Sequence, residues 1–365
     1  MTLASQAAAV GGAPLRLPPS QVQAGDQPVA GLLRFLVRRI VSSLATLLGI
    51  STVTFVIVRM LGNPVYLLVG QDANQQIIDD MTKAMGLDQP IWVQYAKYLW
   101  AVAHGDFGIS RATFQPVTVT LVQRLPATVE LVLAAMLIVV CLAIPLGMAA
   151  AIRQGGAIDR LSQYLVEFSV SVPAFWFGLI LVFVFFAALN WLPAPLGRLD
   201  AGDTPPAGPT GLYTVDAILS GRATTLVDAV RHLVLPACAL ALSHIPSTLQ
   251  ITRTSMIQVL DSRYIRTARA LGLSNRRIYT QYALKNISLP LVTVLAMTFG
   301  SLMSTTVLIE VVFSWPGIGL YAVDSMNQFD YAPIQAVVLL AATIYIGAYF
   351  IADVVSALID PRVRL

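Results

Sequence analysis

The sequence predicts an all-α membrane protein with six transmembrane helices. Mean hydropathy is +0.73 and only 12% of the 365 residues are charged, where soluble domains carry about 25%. Apolar runs of about twenty residues recur, each long enough for a ~30 Å hydrocarbon core. Lys and Arg gather in alternate connections between these runs, as the positive-inside rule requires of a polytopic chain.

The elements follow in order. Residues 1–30 are rich in Ala, Gly, Pro and Gln and lack the basic start and apolar stretch of a signal peptide. They are expected to form a disordered cytoplasmic tail ahead of a membrane domain over 31–365. Spans are expected at roughly 40–61, 127–152, 163–189, 232–252, 288–311 and 334–358. The fourth is the most polar, with Pro236, Ser243, His244, Pro246 and Ser247; that suits a helix facing other helices or a water-filled path. Pro145 and Pro173 fall within spans and are expected to bend them.

Orientation follows from the cations. Arg34, Arg38, Arg39, Arg153, Arg160, Arg253, Arg263, Arg266, Arg269, Arg276, Arg277, Lys285, Arg362 and Arg364 share one side, and the 313–333 connection on the other side has no Lys or Arg. Both termini are therefore expected in the cytoplasm, with segments 62–126 and 190–231 outside. The first of these mixes Asp79, Asp80, Lys83, Trp92, Tyr95, Lys97, Tyr98 and Trp100, a composition for short amphipathic helices packed on the membrane face. Arg59, Glu130 and Glu310 fall near outer ends and Glu167 and Asp353 near inner ends. No ionisable group is expected at mid-depth, where a proton- or sodium-coupled carrier commonly places one.

Several chemistries are excluded. There is no G-x-x-x-x-G-K-[ST], H-E-x-x-H or G-x-S-x-G. Ser243 and His244 are helix neighbours about 100° apart and cannot share a proton. Cys141 and Cys238 read as small buried hydrophobes. No metal is expected, since His104, His232 and His244 are far apart and not paired with Cys or carboxylates at ligand spacing. The net charge of +4 follows membrane topology rather than forming a nucleic-acid patch.

Segment 254–287 is polar and arginine-rich between two apolar spans. On a helical wheel Arg263, Arg266 and Arg269 fill one arc, and Leu260, Tyr264, Ile265, Ala268, Leu271 and Gly272 fill the other. The arginines satisfy the positive-inside rule by themselves. The two-faced wheel adds a second reading: the small and apolar arc (Ile265, Ala268, Leu271, Gly272) seats in a partner's groove while arginines meet acidic groups or lipid phosphates.

The run Tyr264-Ile-Arg-Thr-Ala-Arg-Ala-Leu-Gly272 resembles the coupling segment of ABC-importer permeases of the dipeptide/oligopeptide (peptide/nickel) branch. Gly86-Leu-Asp-Gln-Pro-Ile91 with Gln94-Tyr95, Gly105-Asp-Phe-Gly108 with Ser110, and Arg124-Leu-Pro-Ala-Thr128 with Glu130 and Leu131 are similar to its outer segment and second-span entry. Ile144-Pro-Leu-Gly147 and Ser171-Val-Pro-Ala-Phe-Trp176 continue the match. So do Glu310, Phe313-Ser-Trp-Pro-Gly-Ile-Gly319, Asp330-Tyr331, Gln335, Asp353 and Asp360-Pro-Arg362, in order over 31–365. Departures exist. Arg266-Thr267-Ala268 stands where the wider pattern has Glu-Ala-Ala. Ile287-Ser-Leu-Pro290 comes late, the spacing-matched positions being Tyr282 to Lys285. Gly62-Asn63-Pro64 replaces Gly-Asp-Pro.

The resemblance implies a type I ABC-importer permease, not itself an enzyme, in the bacterial cytoplasmic membrane. It implies a second permease, two ATPase subunits and an extracytoplasmic peptide-binding protein as partners. ATP and Mg would be bound by the ATPases, leaving no cofactor in this chain. The same architecture importing nickel, or a pore working without ATPases, are the alternatives. Tyr264, Ile265, Arg266, Thr267, Ala268, Arg269, Leu271 and Gly272 would form the cytoplasmic coupling helix between spans four and five. Phe313, Trp315, Pro316, Gly317 and Gly319 would form a loop that docks the binding protein or helps release peptide, or else a tight connection between spans five and six. Ser301, Ser304 and Thr305, with Thr306, would line the pathway or pack helices.

Overall fold

Leu, Val, Ile, Ala and Phe dominate the long runs of this chain, and backbone polar groups in lipid must be satisfied within their own segment. The outcome is helical. A computed structural model describes residues 28–60, 65, 74–84 and 86–359. Among these the only non-helical pairing is one isolated bridge, Ile109 to Pro116. The α-helices of seven residues or more are α1 (Pro28–Met60), α2 (Gln75–Ala84), α3 (Ile91–Ala103), α4 (Val117–Ile152), α5 (Ala157–Ser171), α6 (Ala174–Leu181), α7 (Tyr213–Leu219), α8 (Ala223–Leu242), α9 (Ile245–Leu260), α10 (Arg263–Ala270), α11 (Ser288–Val312), α12 (Ile318–Asn327) and α13 (Tyr331–Ile359).

Among the described residues, five helices are long and apolar enough to cross a membrane, and six if α5 and α6 count as one bent span. Helix α1 begins at Pro28, inside the expected tail; the rest of that tail, Gly62-Asn63-Pro64 and Asp360-Pro-Arg362 lie outside the described residues.

Two expected spans are broken, for local reasons. The third bends by 103° between α5 and α6. Pro173 has no N–H to donate and disfavours helix at the residue before it, so Val172 is extended at φ −108°, ψ 118°. After α6 the chain widens into a π-helix, Val182–Ala188. The fourth is two helices, α8 and α9, interrupted at Ser243-His244, with Pro246 in the first turn of α9. Pro145, by contrast, leaves α4 continuous.

Helix α4 is the central post. At 1.5 Å per residue its 36 residues run about 54 Å, and α8, α9 and α11 pack along it. Leu131, Val139, Leu240, Leu249, Leu302 and Ile309 form the main core. Gly147 sets the α4–α9 distance: a Cβ there would lie 2.8 Å from the Leu249 carbonyl and 2.8 Å from Thr252 Cβ. At the other edge α13 packs on α11 and on α1. The start of α4 lies ten positions before the expected span because Val117 and Leu121 are buried against Ile318, Tyr321, Ala336 and Val337.

Candidate functional site

The chemistry-bearing residues gather at the two ends of the bundle and along one stripe between them. At one end, Asp159 opens α5 and Arg253 lies in α9. Arg253 Nε donates to Asp159 Oδ1 at 2.7 Å and Nη2 to Oδ2 at 3.0 Å, while the Gly155 amide also donates to Oδ2 at 2.9 Å. This fork ties the α4–α5 turn to the helix that leads into α10.

Helix α10 is short, and its C-terminal end is built by sequence. Ser262 precedes it in extended conformation. Gly272 ends it at φ +76°, the left-handed geometry that favours glycine. The Gly272 amide donates to Arg269 O at 3.0 Å and the Leu273 amide to Ala268 O at 3.2 Å, a complete Schellman closure.

The wheel of α10 is divided differently from the expectation. Ile265 and Ala268 are buried in this chain's own core, with Met256, Leu260, Ile278, Ala283 and Ile287. They hold the helix to the end of α9 and to the 278–287 segment and are not offered to a partner in this conformation. The outward ridge is Tyr264, Thr267 and Leu271, with Leu271 76% exposed. Arg263, Arg266 and Arg269 flank it, also exposed. The physical reason is that a one-sided apolar edge is buried first against the nearest apolar surface, which here is its own bundle. Nothing lies within 4 Å of a Cβ built on Gly272, so its backbone conformation, not close packing within the chain, requires glycine.

The opposite end is closed by two buried carboxylates. Glu310 Oε1 accepts from Thr128 Oγ1 at 2.6 Å, and its Oε2 accepts from the Leu320 amide at 2.9 Å. Thr128 Oγ1 in turn accepts from the Ile318 amide at 2.9 Å. Cβ atoms on Gly317 and Gly319 would fall 2.4 Å and 2.9 Å from Glu310 oxygens. Trp315 is 1% exposed and its Nε1–H donates to Ala127 O at 2.8 Å; Phe313 is buried beside it. The Phe313–Gly319 segment joins α11 to α12, with its two aromatic side chains buried in the core.

The second carboxylate, Glu130, pairs with Arg198 and accepts from Thr214 N at 2.7 Å and Thr214 Oγ1 at 2.6 Å. Arg198 also stacks on Tyr213, 3.4 Å from the ring centroid. These bonds fasten the long 190–222 connection to α4. Asp330 Oδ2 accepts from Ser110 Oγ at 2.7 Å and from the Ala112 amide at 3.1 Å, fastening the 104–116 segment beside α13. Both glutamates are fully partnered structural posts.

Between the ends runs a stripe that extends the polar positions Ser243 and Ser247, expected on the fourth span, to residues that the sequence reading did not single out. Ser243, Ser247, Gln250, Thr254 and Gln258 are all exposed, and their spacing of three or four keeps them on one face. Neither glutamine amide makes a hydrogen bond with the rest of the described chain, whereas Ser247 and Thr254 bond back to His244 O and Gln250 O. At the α8–α9 break, His244 Nε2 hydrogen-bonds Thr305 Oγ1 at 3.1 Å. Ser304 and Thr305 are exposed, Ser301 is half-buried, and Thr306 is buried against Glu310. The four hydroxyls expected together therefore divide between surface and core. The signal that could have found the stripe was the three-four repeat of polar residues continuing past the expected end of the fourth span.

The last 223 residues decide the family: 143–365 match the model described as binding-protein-dependent transport system inner membrane component. Residues 32–132 match the model of its N-terminal part. The chain belongs to this family. It is thus a multi-pass inner-membrane permease with the type I ABC-importer fold. The permease is 36% identical over 334 residues to the dipeptide transport system permease protein DppB of Alkalihalophilus pseudofirmus, covering 91% of this chain and 100% of that one. It is 36% identical over 344 residues to the Escherichia coli protein of that name, covering 91% and 99%. To the di/tripeptide transport system permease protein DppB of Pseudomonas aeruginosa it is 37% identical over 336 residues, covering 91% and 99%.

Proposed function

We propose that this permease carries dipeptides or short oligopeptides into the cell by alternating access, as one of two permease subunits driven by two separate ATPases and supplied by an extracytoplasmic binding protein. The named relatives support the cargo class. The structural observation that carries the transport reading is the polar stripe of α9. Glutamine amides without hydrogen-bond partners are costly in hydrocarbon, so Gln250 and Gln258 face a partner subunit or an aqueous path rather than lipid. Uncharged amides and hydroxyls suit a zwitterionic peptide whose side chains vary, since they meet its backbone without selecting a charge.

The stripe ends next to α10. In the proposed orientation, with both termini in the cytoplasm, the ridge Tyr264-Thr267-Leu271 meets the ATPase and transmits its closure through the Arg253–Asp159 fork to α9, α4 and α5. The fully partnered state of Glu130 and Glu310 leaves neither as an ion-coupling site, in keeping with nucleotide-driven transport. The test is ATP-dependent uptake of a labelled dipeptide into vesicles holding the complete complex. Uptake that persists without the ATPases, or a complex that lacks them after mild detergent extraction, overturns the reading.

A further inference from the structure

The outer connection contains a cluster that neither transport nor helix packing uses. Asp200 lies in the turn after Arg198, while Asp228 and His232 sit one helical turn apart in the first half of α8. One ligand atom from each lies within 4.8 Å of those of the other two. The sequence reading paired no histidine with a carboxylate at ligand spacing; Asp228 and His232 are four apart on one helix face and form such a pair.

The imidazole is fixed before any ligand arrives. His232 Nδ1 lies 3.1 Å from the Asp228 backbone oxygen and 3.1 Å from Asp228 Oδ1. Donating Nδ1–H to the backbone oxygen, the hydrogen-bond acceptor of the two, turns the Nε2 lone pair away from the helix and leaves the Asp228 carboxylate for an ion. Metal-bound histidines are held this way, with the second ring nitrogen donating to a carbonyl or carboxylate. The His232 side chain is 3% exposed, so its ring has little freedom to turn.

Nε2 faces Asp200 Oδ1 at 3.5 Å. That is long for a hydrogen bond between these atoms. It is the right separation for two ligands of one ion: with bonds of about 2.05 Å, ligands this far apart subtend roughly 115°, near tetrahedral. The Asp200 carboxylate accepts no hydrogen bond among the described residues, while its own amide donates to Asp228 Oδ2 at 2.9 Å and clips the turn over the helix. The neighbouring cation, Arg231, is turned to the Trp191 carbonyl at 3.1 Å. Asp200 is 64% exposed and leaves an entry path open to water.

We propose that Asp200, Asp228 and His232 form a site for a divalent cation of the zinc type, which fastens the 190–203 turn to α8. One imidazole nitrogen and two carboxylates are a donor set for zinc rather than for calcium or magnesium, which take oxygen ligands in greater number. Solvent completes the coordination. The site needs no nucleotide and no transported solute, so it stands independently of the cargo.

The test is zinc titration by calorimetry on the full chain in detergent, carrying an affinity tag without histidines and stripped of metal beforehand. The expected result is one zinc bound per chain with micromolar or tighter affinity, weakened at least tenfold in Asp200→Asn. That substitution is at an exposed side chain, and its folded state is checked by an unchanged unfolding midpoint in chelator. Zinc should raise the midpoint of the parent chain and not of Asp200→Asn. Equal zinc binding by the two chains, or no zinc effect on either, overturns the proposal and leaves an ordinary histidine–carboxylate ion pair.

Discussion

Glu310 and Thr128, 182 positions apart in sequence, meet in a 2.6 Å hydrogen bond inside the protein. The contact joins the end of α11 to α4, and the amides of Ile318 and Leu320 complete it from the next helix. A carboxylate whose bonds are all made within the protein holds a turn in place, and its neighbour Trp315 fills the space beneath that turn.

Trp315→Ala should therefore act on stability. Truncating a large buried aromatic costs about 3–5 kcal/mol, and the Ala127 carbonyl loses its donor. The expected outcome is a lower unfolding midpoint in detergent and less protein in the membrane, with uptake falling in proportion to the protein recovered. Normal stability with lost uptake would instead indicate a direct contact with the binding protein.

Leu271→Asp should do the opposite. Leu271 is exposed and contributes little to the fold, so the midpoint should stay within about 1 kcal/mol of the parent. Uptake should fall at least tenfold, together with co-purification of the ATPases. Full uptake would move the coupling contact away from the Tyr264-Thr267-Leu271 ridge. Ile265→Asp is the contrasting control: it places a charge in the core and should unfold the helix end.

Gly272→Ala should cost about 1 kcal/mol through its left-handed backbone, read as a shift in the unfolding midpoint. It should leave ATPase binding intact, since no atom of the chain crowds the position. A large loss of ATPase binding at unchanged stability would show that the partner, not the backbone, demands glycine.

Gly147→Val should force α9 away from α4, because the new side chain meets the Leu249 backbone. Overpacking of this kind costs about 1–3 kcal/mol. The check is the unfolding midpoint combined with cross-linking of a cysteine pair across the α4–α9 interface, which should become less efficient.

Gln250→Leu should leave the fold unchanged and reduce dipeptide uptake several-fold, with ATP hydrolysis still stimulated by the loaded binding protein. A greasy side chain on a lipid-facing helix would be harmless or stabilising, so unaltered uptake would place the stripe against lipid.

Most of the architecture was legible in the residues. The apolar runs are the long helices, with ends shifted where tertiary contacts extend them, as at Val117. The break at Val172-Pro173 follows from proline chemistry, and the break at Ser243-His244 matches the polarity of the fourth span. The site was legible in part. Residues 264–272 form a short helix closed at Gly272, but the wheel could not say which arc faces inward, because two apolar surfaces compete for one edge.

The sequence by itself determined how many spans the chain has, which connections carry its cations, and where α10 stops, at Gly272, because these depend on local hydropathy, charge and backbone preference. Only the tertiary structure decided that Ile265 and Ala268 turn inward while Leu271 turns out, that Trp315 fills a core, and that Asp200 meets His232. Those are contacts between distant segments, and their outcome rests on which surfaces bury one another when the helices pack.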